Sequence, residues 1–377
     1  MPANHERALE ALLRRGRLRS LDAPHGIDFT SNDYLGLAQS QELADAVVRA
    51  IERGVPVGAG GSRLLRGNHP EHEALEAEAA QFFGSETALF FGGGFIANTA
   101  LLATLPARGD LIVYDELIHA SVHDGMRLSK AHAVAARHND VQSFDDAIAA
   151  WRTDGGVGQA WLVVESLYSM DGDRAPIDDL AALATRHDAM LIIDEAHATG
   201  VFGPEGRGLA AHLEGGDNVI TLHTCGKALG VMGALVLAPR IIRDFLINRA
   251  RAFIYATAPS PLVAAAVRAA LDICRTQPER REKLHQLIAF AGTELKSKTR
   301  YKPSGSQIQP IVVGADASAV TLATAMKVRG YDIRAIRPPT VPEGTARLRL
   351  TITLNTNETG LSRLLSDLAA AEAETAA

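Results

Sequence analysis

The feature that most constrains the fold is an alternation of short β-branched runs with helical patterns, which begins near Gln81 and continues past Arg240. Such alternation is typical of an α/β sheet built mainly from parallel strands. Helical stretches at 95–105, 143–151 and 178–187 separate several of the β-branched runs. The pattern predicts a central sheet of seven strands, at about 86–91, 111–114, 131–136, 159–165, 189–194, 218–222 and 233–238.

The C-terminal part of the chain follows a different pattern. Pro259 and Pro261 precede one helical stretch, and Pro278 opens another. The chain beyond them is predicted as strand, helix, strand, strand, helix, at 309–313, 317–329, 332–336, 346–352 and 358–372. A chain of 377 residues exceeds the size that one hydrophobic core usually supports. We therefore predict an N-terminal segment (1–38), a large α/β domain (39–262) and a small α+β domain (263–377).

Charge and composition narrow the classes of partner. The net charge of −6 gives no reason to expect nucleic acid or an anionic membrane as a partner, and the sequence contains no run of 18 apolar residues. The first 19 residues are charged and do not resemble a signal peptide, and the only cysteines are Cys225 and Cys274. We expect a cytoplasmic protein that acts on small molecules.

A run of three glycines, FFGGGF at 90–95, joins a predicted strand to a predicted helix. Glycine lets the backbone approach an anion closely, and the amides at a helix start can bind a phosphate. The same residues also satisfy the dinucleotide fingerprint G-x-G-x-x-A, with Asp110 or Asp115 as the acid for the ribose. A plain turn is a third interpretation.

An apolar strand ends in the sequence LIIDEAH at 191–197. Its carboxyl end delivers Asp194 and His197 into a loop, where open α/β sheets bind ligands. A carboxylate there could keep a pyridinium nitrogen protonated, and the histidine could hydrogen-bond the phenolic oxygen of a cofactor. The helicase interpretation of D-E-A-H requires a G-x-x-x-x-G-K-[ST] loop, which the sequence lacks.

A lysine follows the next strand in the sequence TLHTCGKA at 221–228. Lys227 would lie near the carboxyl edge of the sheet, where its amine could serve as imine partner and then as proton carrier. Thr224 could contact a phosphate. A surface lysine in a loop is the alternative.

Further candidates are the arginines of RLRLT at 347–351 and one histidine. Strand alternation places Arg347 and Arg349 on one face, where one of them could clamp a carboxylate; solvated arginines are the alternative. His119 opens a helix after a strand, so it could lie against an aromatic cofactor or simply cap that helix. His69 and His72 have metal-compatible spacing, but further ligands are missing, and we expect no metal site.

Taken in order, the glycine turn, His119, the Asp194/His197 pair and Lys227 resemble the cofactor site of fold-type I pyridoxal-phosphate enzymes. Four further segments are similar to the α-oxoamine synthases, SNDYLG at 31–36, the glycine-rich stretch 58–67, SMDGD at 169–173 and TCGK at 224–227. This resemblance covers nearly the whole chain. Residues 251–255 and 335–349 are similar to the member that joins L-alanine to a pimeloyl thioester in biotin synthesis.

The resemblance implies a fold-type I PLP-transferase, related in fold to aspartate aminotransferase, with pyridoxal 5′-phosphate as cofactor and a homodimer as the assembly. Lys227 would form the Schiff base and act as catalyst together with His119 and Asp194. The implied cofactor-binding residues are Gly94, Phe95, His119, Ser169, Asp194, His197, Thr224 and Lys227. The implied substrate-binding residues are Arg19, His119, Thr340 and Arg349.

Two questions stay open at the level of sequence. The acyl donor could be a coenzyme A thioester or an acyl-carrier-protein thioester. The substrates could also be those of another α-oxoamine synthase, such as glycine C-acetyltransferase, 5-aminolevulinate synthase or serine palmitoyltransferase.

Overall fold

The computed structural model describes residues 3–376. Its helices are, in chain order, α1 (Ala3–Arg14), α2 (Gln41–Glu52), α3 (Pro70–Phe83), α4 (Gly94–Thr104), α5 (Ala120–Leu128), α6 (Val141–Thr153), α7 (Ile177–Arg186), α8 (Arg240–Arg249), α9 (Arg251–Ile254), α10 (Pro261–Thr276), α11 (Pro278–Lys298), α12 (Asp316–Val328) and α13 (Glu358–Ala376). Its strands are β1 (Ile27–Asp28), β2 (Thr87–Phe91), β3 (Leu111–Asp115), β4 (His132–Ala136), β5 (Ala160–Glu165), β6 (Met190–Asp194), β7 (Val219–Thr224), β8 (Ala234–Ala238), β9 (Ile308–Gly314), β10 (Tyr331–Asp332), β11 (Ala335–Ile336) and β12 (Ala346–Thr351).

The chain divides into two compact units. The sheet unit comprises Leu35–Tyr168 and Arg174–Arg281. The terminal unit comprises the residues up to Tyr34, the short segment Ser169–Asp173, and the chain from Glu282 onward. The domain limits predicted at residues 38 and 262 stay predictions.

The sheet unit is built on a seven-stranded sheet with the order β2-β8-β7-β6-β5-β3-β4. Strand β8 is antiparallel to both of its neighbours, and the other pairings are parallel. This confirms the predicted seven-stranded, mainly parallel sheet, and each strand begins and ends within about two residues of its predicted limits.

Helices cover both faces of this sheet, which explains why its strands are continuously apolar. On one face Ile192 packs with Leu101, Val122 and Leu246 of the helices there. On the other face its neighbour Ile193 packs with residues of α6 and α7. Because side chains alternate along a strand, a strand buried on both faces needs apolar residues at every position. The two cores hold the carboxyl ends of the parallel strands in place.

The terminal unit contains a three-stranded antiparallel sheet, β11-β12-β9, and a parallel pairing of β1 with β10. Helix α12 packs against both β12 and α13. The single strand predicted at 332–336 is wrong, because Tyr331–Asp332 pairs with β1 while Ala335–Ile336 pairs with β12. The chain leaves β1 after Asp332 and reaches β12 at Ala335. The continuous β-like pattern of residues 332–336 does not reveal this change of partner strand.

None of the helices described for residues 3–376 combines the length and apolar character that crossing a membrane requires.

Candidate active site

A lysine and a histidine meet at the carboxyl end of the large sheet. The Nζ atom of Lys227 lies 2.8 Å from the Nε2 atom of His197, and His197 is 4% exposed. The turn carrying His197 can approach the lysine loop because Gly200 has a left-handed φ of +78°, and a Cβ atom there would lie 2.7 Å from Ala228. The structure thus brings together two residues that the sequence singled out separately.

Asp194 lies at the end of β6 and is almost completely buried, at 5% exposure. Its carboxylate accepts hydrogen bonds from the Asn98 side chain at 2.7 Å and from the backbone N–H of Ala196 at 2.9 Å. The same Asn98 amide also donates to Ser121 at 3.1 Å. A buried carboxylate fixed by two donors keeps its negative charge in a defined place, where it can stabilise a positive charge nearby.

Asn98 is a site residue that the sequence reasoning missed. It lies on α4, two percent exposed, among the buried alanines and leucines of that helix. Its Oδ1 atom is buried without a hydrogen-bond partner among the described residues. Burying a side-chain amide costs free energy unless the amide is hydrogen-bonded. A single polar residue among the apolar residues of this helix was therefore the sequence signal from which Asn98 could have been predicted.

His119 caps helix α5. Its Nδ1 atom accepts from the backbone N–H of Ser121 at 3.2 Å and lies 2.7 Å from the hydroxyl of that serine. His119 is exposed, yet desolvation by the surrounding protein lowers the pKa of His119 below its usual 6.5. Asp194 opposes this effect and Lys227 adds to it. The capping interpretation is confirmed, and stacking on a cofactor stays a prediction.

The three glycines lead from β2 into α4 as predicted. The helix begins after Gly93, and no side chain caps its first turn within the described chain. A Cβ atom on Gly94 would lie 3.6 Å from the hydroxyl oxygen of Thr224, so this hydroxyl borders the helix start. Helix amides together with a hydroxyl form a suitable cradle for a phosphate group. Phe95, the next residue, is 49% exposed.

Ser169 and Arg349 both belong to the terminal unit. The Nε atom of Arg349 donates to the backbone oxygen of Ser169 at 2.6 Å, and its Nη1 atom donates to Asn32 at 3.0 Å and to Thr351 at 2.9 Å. Tyr34 lies at 3.5 Å from its Nη2 atom. These partners are neutral, so Arg349, at 8% exposure, remains a buried cation.

Arg347, on the same face of β12, is held differently. Its guanidinium pairs with the carboxylate of Asp171 and also donates to the backbone oxygens of Met170 and Thr345. A carboxylate already neutralises this arginine. The structure therefore separates two arginines that strand alternation could not distinguish, and Arg349 is the one suited to an additional anion.

The two residues expected to contact the acyl substrate also meet within the terminal unit. The Nη2 atom of Arg19 donates to the hydroxyl of Thr340 at 3.2 Å, and both side chains are exposed.

His69 and His72, whose spacing is compatible with metal binding, both bond to backbone groups. His69 caps α3 through its Nδ1 atom, and His72 bonds to the backbone oxygen of Pro259 through Nε2 at 2.7 Å. No group of three or more potential metal ligands occurs among residues 3–376.

The fold and the lysine-centred site define a pyridoxal-phosphate-dependent transferase. The family model Aminotransferase class I and II matches residues 24–368. The 8-amino-7-oxononanoate synthase of Chromobacterium violaceum is 42% identical over 374 residues, 95% of either chain. The enzyme of that name from Saccharophagus degradans is 42% identical over 91% of this chain and 86% of its own. The chain belongs to the aminotransferase class I and II family, and within it to the 8-amino-7-oxononanoate synthases.

Solved structures agree with this assignment. A serine palmitoyltransferase from S. paucimobilis, bound to a PLP–myriocin aldimine, has a TM-score of 0.88 at 26% identity and covers 100% of this chain and 98% of its own. The 8-amino-7-oxononanoate synthase from Francisella tularensis has a TM-score of 0.78 at 29% identity, covering 93% of this chain and 98% of its own. The predicted fold-type I architecture and the predicted cofactor, pyridoxal phosphate, are confirmed, and the dinucleotide interpretation of the glycine turn is set aside.

Proposed function

We propose that the protein condenses L-alanine with a pimeloyl thioester to give 8-amino-7-oxononanoate, CO₂ and a free thiol, as a step of biotin synthesis. The observation that carries the proposal is the contact of Lys227 with His197, together with the buried Asp194 at the end of the adjacent strand, in a chain 42% identical to curated enzymes of that name. The described site fits pyridoxal phosphate. Lys227 offers an amine, Asp194 a fixed carboxylate, and Gly94 and Thr224 a phosphate cradle.

Pyridoxal phosphate, when bound, supplies an electron sink for negative charge that develops at the amino-acid α-carbon. In our proposal Lys227 would hold it covalently and Asp194 would pair with its ring nitrogen. His197 would face its phenolic oxygen, and His119 would lie against its ring. Gly94, Phe95, Ser169 and Thr224 would complete the binding site.

Lys227 also moves protons in this proposal. Once the substrate amine has replaced it, the free Nζ atom can take the α-proton of alanine and later return a proton to the product. The 2.8 Å contact with His197 favours this role, because one of the two facing nitrogens must offer a lone pair to the other. The lysine is thereby kept next to a group that can share its proton.

Arg349 would bind the carboxylate of alanine. Its buried guanidinium is held by neutral acceptors and so retains its full charge for a substrate anion. A fixed carboxylate would restrict rotation of the amino acid and select which bond at the α-carbon is aligned for cleavage. Arg19 and Thr340 would contact the acyl substrate, and His119 would hydrogen-bond the substrate carboxylate or ketone.

The assembly and the compartment are part of the same proposal. We infer a homodimer with active sites at its interface, because the sheet unit exposes large apolar side chains, including Leu65 at 81%, Tyr255 at 71% and Met232 at 67%. A cytoplasmic location fits the two buried free cysteines. The acyl group could arrive on coenzyme A or on an acyl-carrier protein.

A substrate panel tests the proposal. Purified, cofactor-loaded protein is mixed with L-alanine, glycine or L-serine and with pimeloyl, acetyl, succinyl or palmitoyl thioesters, and released thiol and CO₂ are measured. We expect the highest kcat/KM for alanine with pimeloyl thioester. A preference for another pair would assign the chain to a different α-oxoamine synthase activity, and absence of pimeloyl-dependent CO₂ release from alanine would refute the proposal.

A further inference from the structure

Arg17 forms an ion-pair clamp within the terminal unit. Its Nε atom lies 2.6 Å from a carboxylate oxygen of Asp316, in the first turn of α12. Its two terminal nitrogens donate to the two carboxylate oxygens of Glu343, at 3.0 and 2.7 Å. One guanidinium thus joins the N-terminal segment to a helix start and to the loop between β11 and β12, and we call this set the Arg17 clamp.

The geometry of this clamp differs from that of an ordinary surface pair. The Arg17 and Asp316 side chains are only 18% and 17% exposed, whereas Glu343 is 75% exposed. An exposed single pair contributes little, but a forked guanidinium held by two carboxylates also fixes the direction of its chain segment. Both carboxylates raise the pKa of Arg17, so it stays charged across the accessible pH range.

Two more contacts cross between the same segments. The guanidinium of Arg337 donates to the backbone oxygen of Gly16, one residue before the clamp. Arg19, two residues after it, donates to the hydroxyl of Thr340 at 3.2 Å. Residues 16–19 are therefore attached to residues 337–343 at three successive points, with the ion pairs of Arg17 in the middle.

We propose that Arg17 is a positioning residue for the acyl substrate, which holds Arg19 and Thr340 together so that they contact the substrate as one surface. This inference rests on the proposed function. Arg17 itself is neutralised by two carboxylates, so it is not the group that receives an anionic substrate. Arg19 contacts a neutral hydroxyl and keeps its charge for that task. Two arginines of one short segment would thus have different roles.

The loop that carries Thr340 lies between β11 and β12. Its backbone bonds are local turns, from Thr340 to Arg337 at 3.1 Å and from Thr345 to Pro342 at 3.2 Å. Such short turns do not determine the position of a loop relative to neighbouring segments. The clamp supplies a connection between the loop and the N-terminal segment that the turns do not.

The test compares Arg17→Gln and Arg17→Lys with a matched control, Arg329→Gln. Arg329 directly follows the last residue of α12 in the terminal unit. Its side chain is 24% exposed and pairs with Glu374 at 2.6 Å. The full-length holoenzyme is assayed for kcat and for KM with both substrates, and its cofactor absorbance and Tm are recorded. Hydrogen–deuterium exchange is followed at the amides of residues 337–345.

We expect Arg17→Gln to raise KM for the acyl thioester about tenfold, with kcat, KM for alanine and cofactor absorbance changed less than about twofold. Arg17→Lys should recover part of this loss, because an ammonium can pair with one carboxylate but not form the fork. Exchange at residues 337–345 should accelerate in Arg17→Gln and not in Arg329→Gln.

Equal effects of Arg17→Gln and Arg329→Gln on the thioester KM would overturn the inference, as would a loss spread equally over both substrates and kcat. If the wild-type protein does not use a pimeloyl thioester, the proposed function fails instead. The exchange measurement then still decides on the clamp, since unchanged exchange in Arg17→Gln would show that Arg17 holds nothing in place.

Discussion

The Nζ atom of Lys227 and the Nε2 atom of His197 lie 2.8 Å apart. A hydrogen bond between two nitrogens needs one N–H and one lone pair, so the facing atoms cannot both carry a bonding proton toward each other. The lysine, as an ammonium or as a neutral amine, can donate to a neutral ring, or the ring can donate to a neutral amine. In every case the lysine has a neighbour with which it can exchange a proton, at the position where we propose that the cofactor binds.

Lys227 should therefore be indispensable, for its amine and not for its charge. We expect Lys227→Ala and Lys227→Arg each to lower kcat by about 1,000-fold or more and to abolish the borohydride-sensitive visible absorbance of the cofactor. Lys130→Ala, which removes an exposed lysine from the same unit, is the control and should leave both unchanged. Retention of the absorbance in Lys227→Ala would contradict this role.

Asp194 should act through its charge. Replacement by Asn keeps the size of the side chain and its acceptor oxygen for Asn98, at 2.7 Å, but removes the negative charge. We expect Asp194→Asn to lower kcat about 100-fold or more, measured at saturating cofactor and both substrates. Asp178→Asn, at an exposed carboxylate that pairs with His212, is the matched control. Similar rates for the two variants would show that the charge of Asp194 is unimportant.

The buried neighbour of Asp194 should govern stability instead of catalysis. Glu195 is fully buried, which raises the pKa of its carboxyl, and it accepts from Ser166 and from the amides of Leu209 and Ala210. Gly208 has φ +105°, and a Cβ atom there would lie 2.7 Å from the Glu195 carboxylate.

Gly208→Ala should therefore combine a backbone strain with a steric clash and lower the free energy of unfolding by about 3 kcal/mol or more. Gly155→Ala is the matched control, because Gly155 has φ +88° but open space around its Cβ position, so it should cost only about 1 kcal/mol. Urea denaturation of both variants measures the difference. Equal losses would mean that the clash is relieved by a small shift of Glu195.

The pKa of His119 predicts how stability depends on pH. Desolvation by the surrounding protein lowers this pKa below 6.5 although His119 is exposed, so between the folded-state pKa and 6.5 the unfolded chain binds more protons than the folded protein. Stability should therefore decrease as pH falls through that window and be unaffected by His119 above it. The loss in free energy of unfolding between pH 7.5 and pH 5, measured by urea denaturation, should be smaller in His119→Gln than in the wild-type protein. An identical loss in the variant and the wild type would contradict the lowered pKa of His119.

The sequence predicted the large sheet accurately because its strands are buried on both faces. Continuous apolar runs such as LIID at 191–194 have few alternatives to a central strand, and their ends then place Asp194 and Thr224 at one sheet edge. The strand predicted at 332–336 was wrong because pairing partners decide where a strand breaks, and no local pattern records the partner.

The polar contacts around the site were less predictable for the same reason. Asn98 and Asp194 are 96 positions apart in sequence, about a quarter of the chain, and neither residue indicates a contact with the other. Likewise, only the fold shows that Asp171 neutralises Arg347 while Arg349 meets neutral groups. Recognition of a motif can name such residues, but their charge balance depends on long-range packing.

That charge balance yields the last prediction, for the two arginines of β12. Arg349→Lys keeps one positive charge but loses the planar fork, so it should raise KM for L-alanine by about tenfold or more while leaving KM for the acyl thioester within about twofold. Arg347→Lys is the matched control, since it lies two residues away on the same strand face and a lysine can still pair with Asp171. Its KM for alanine should change less than about threefold, because its carboxylate partner already neutralises its charge. If the two variants bind alanine equally well, or if Arg347→Lys is the one that weakens it, the amino-acid carboxylate is not bound by Arg349.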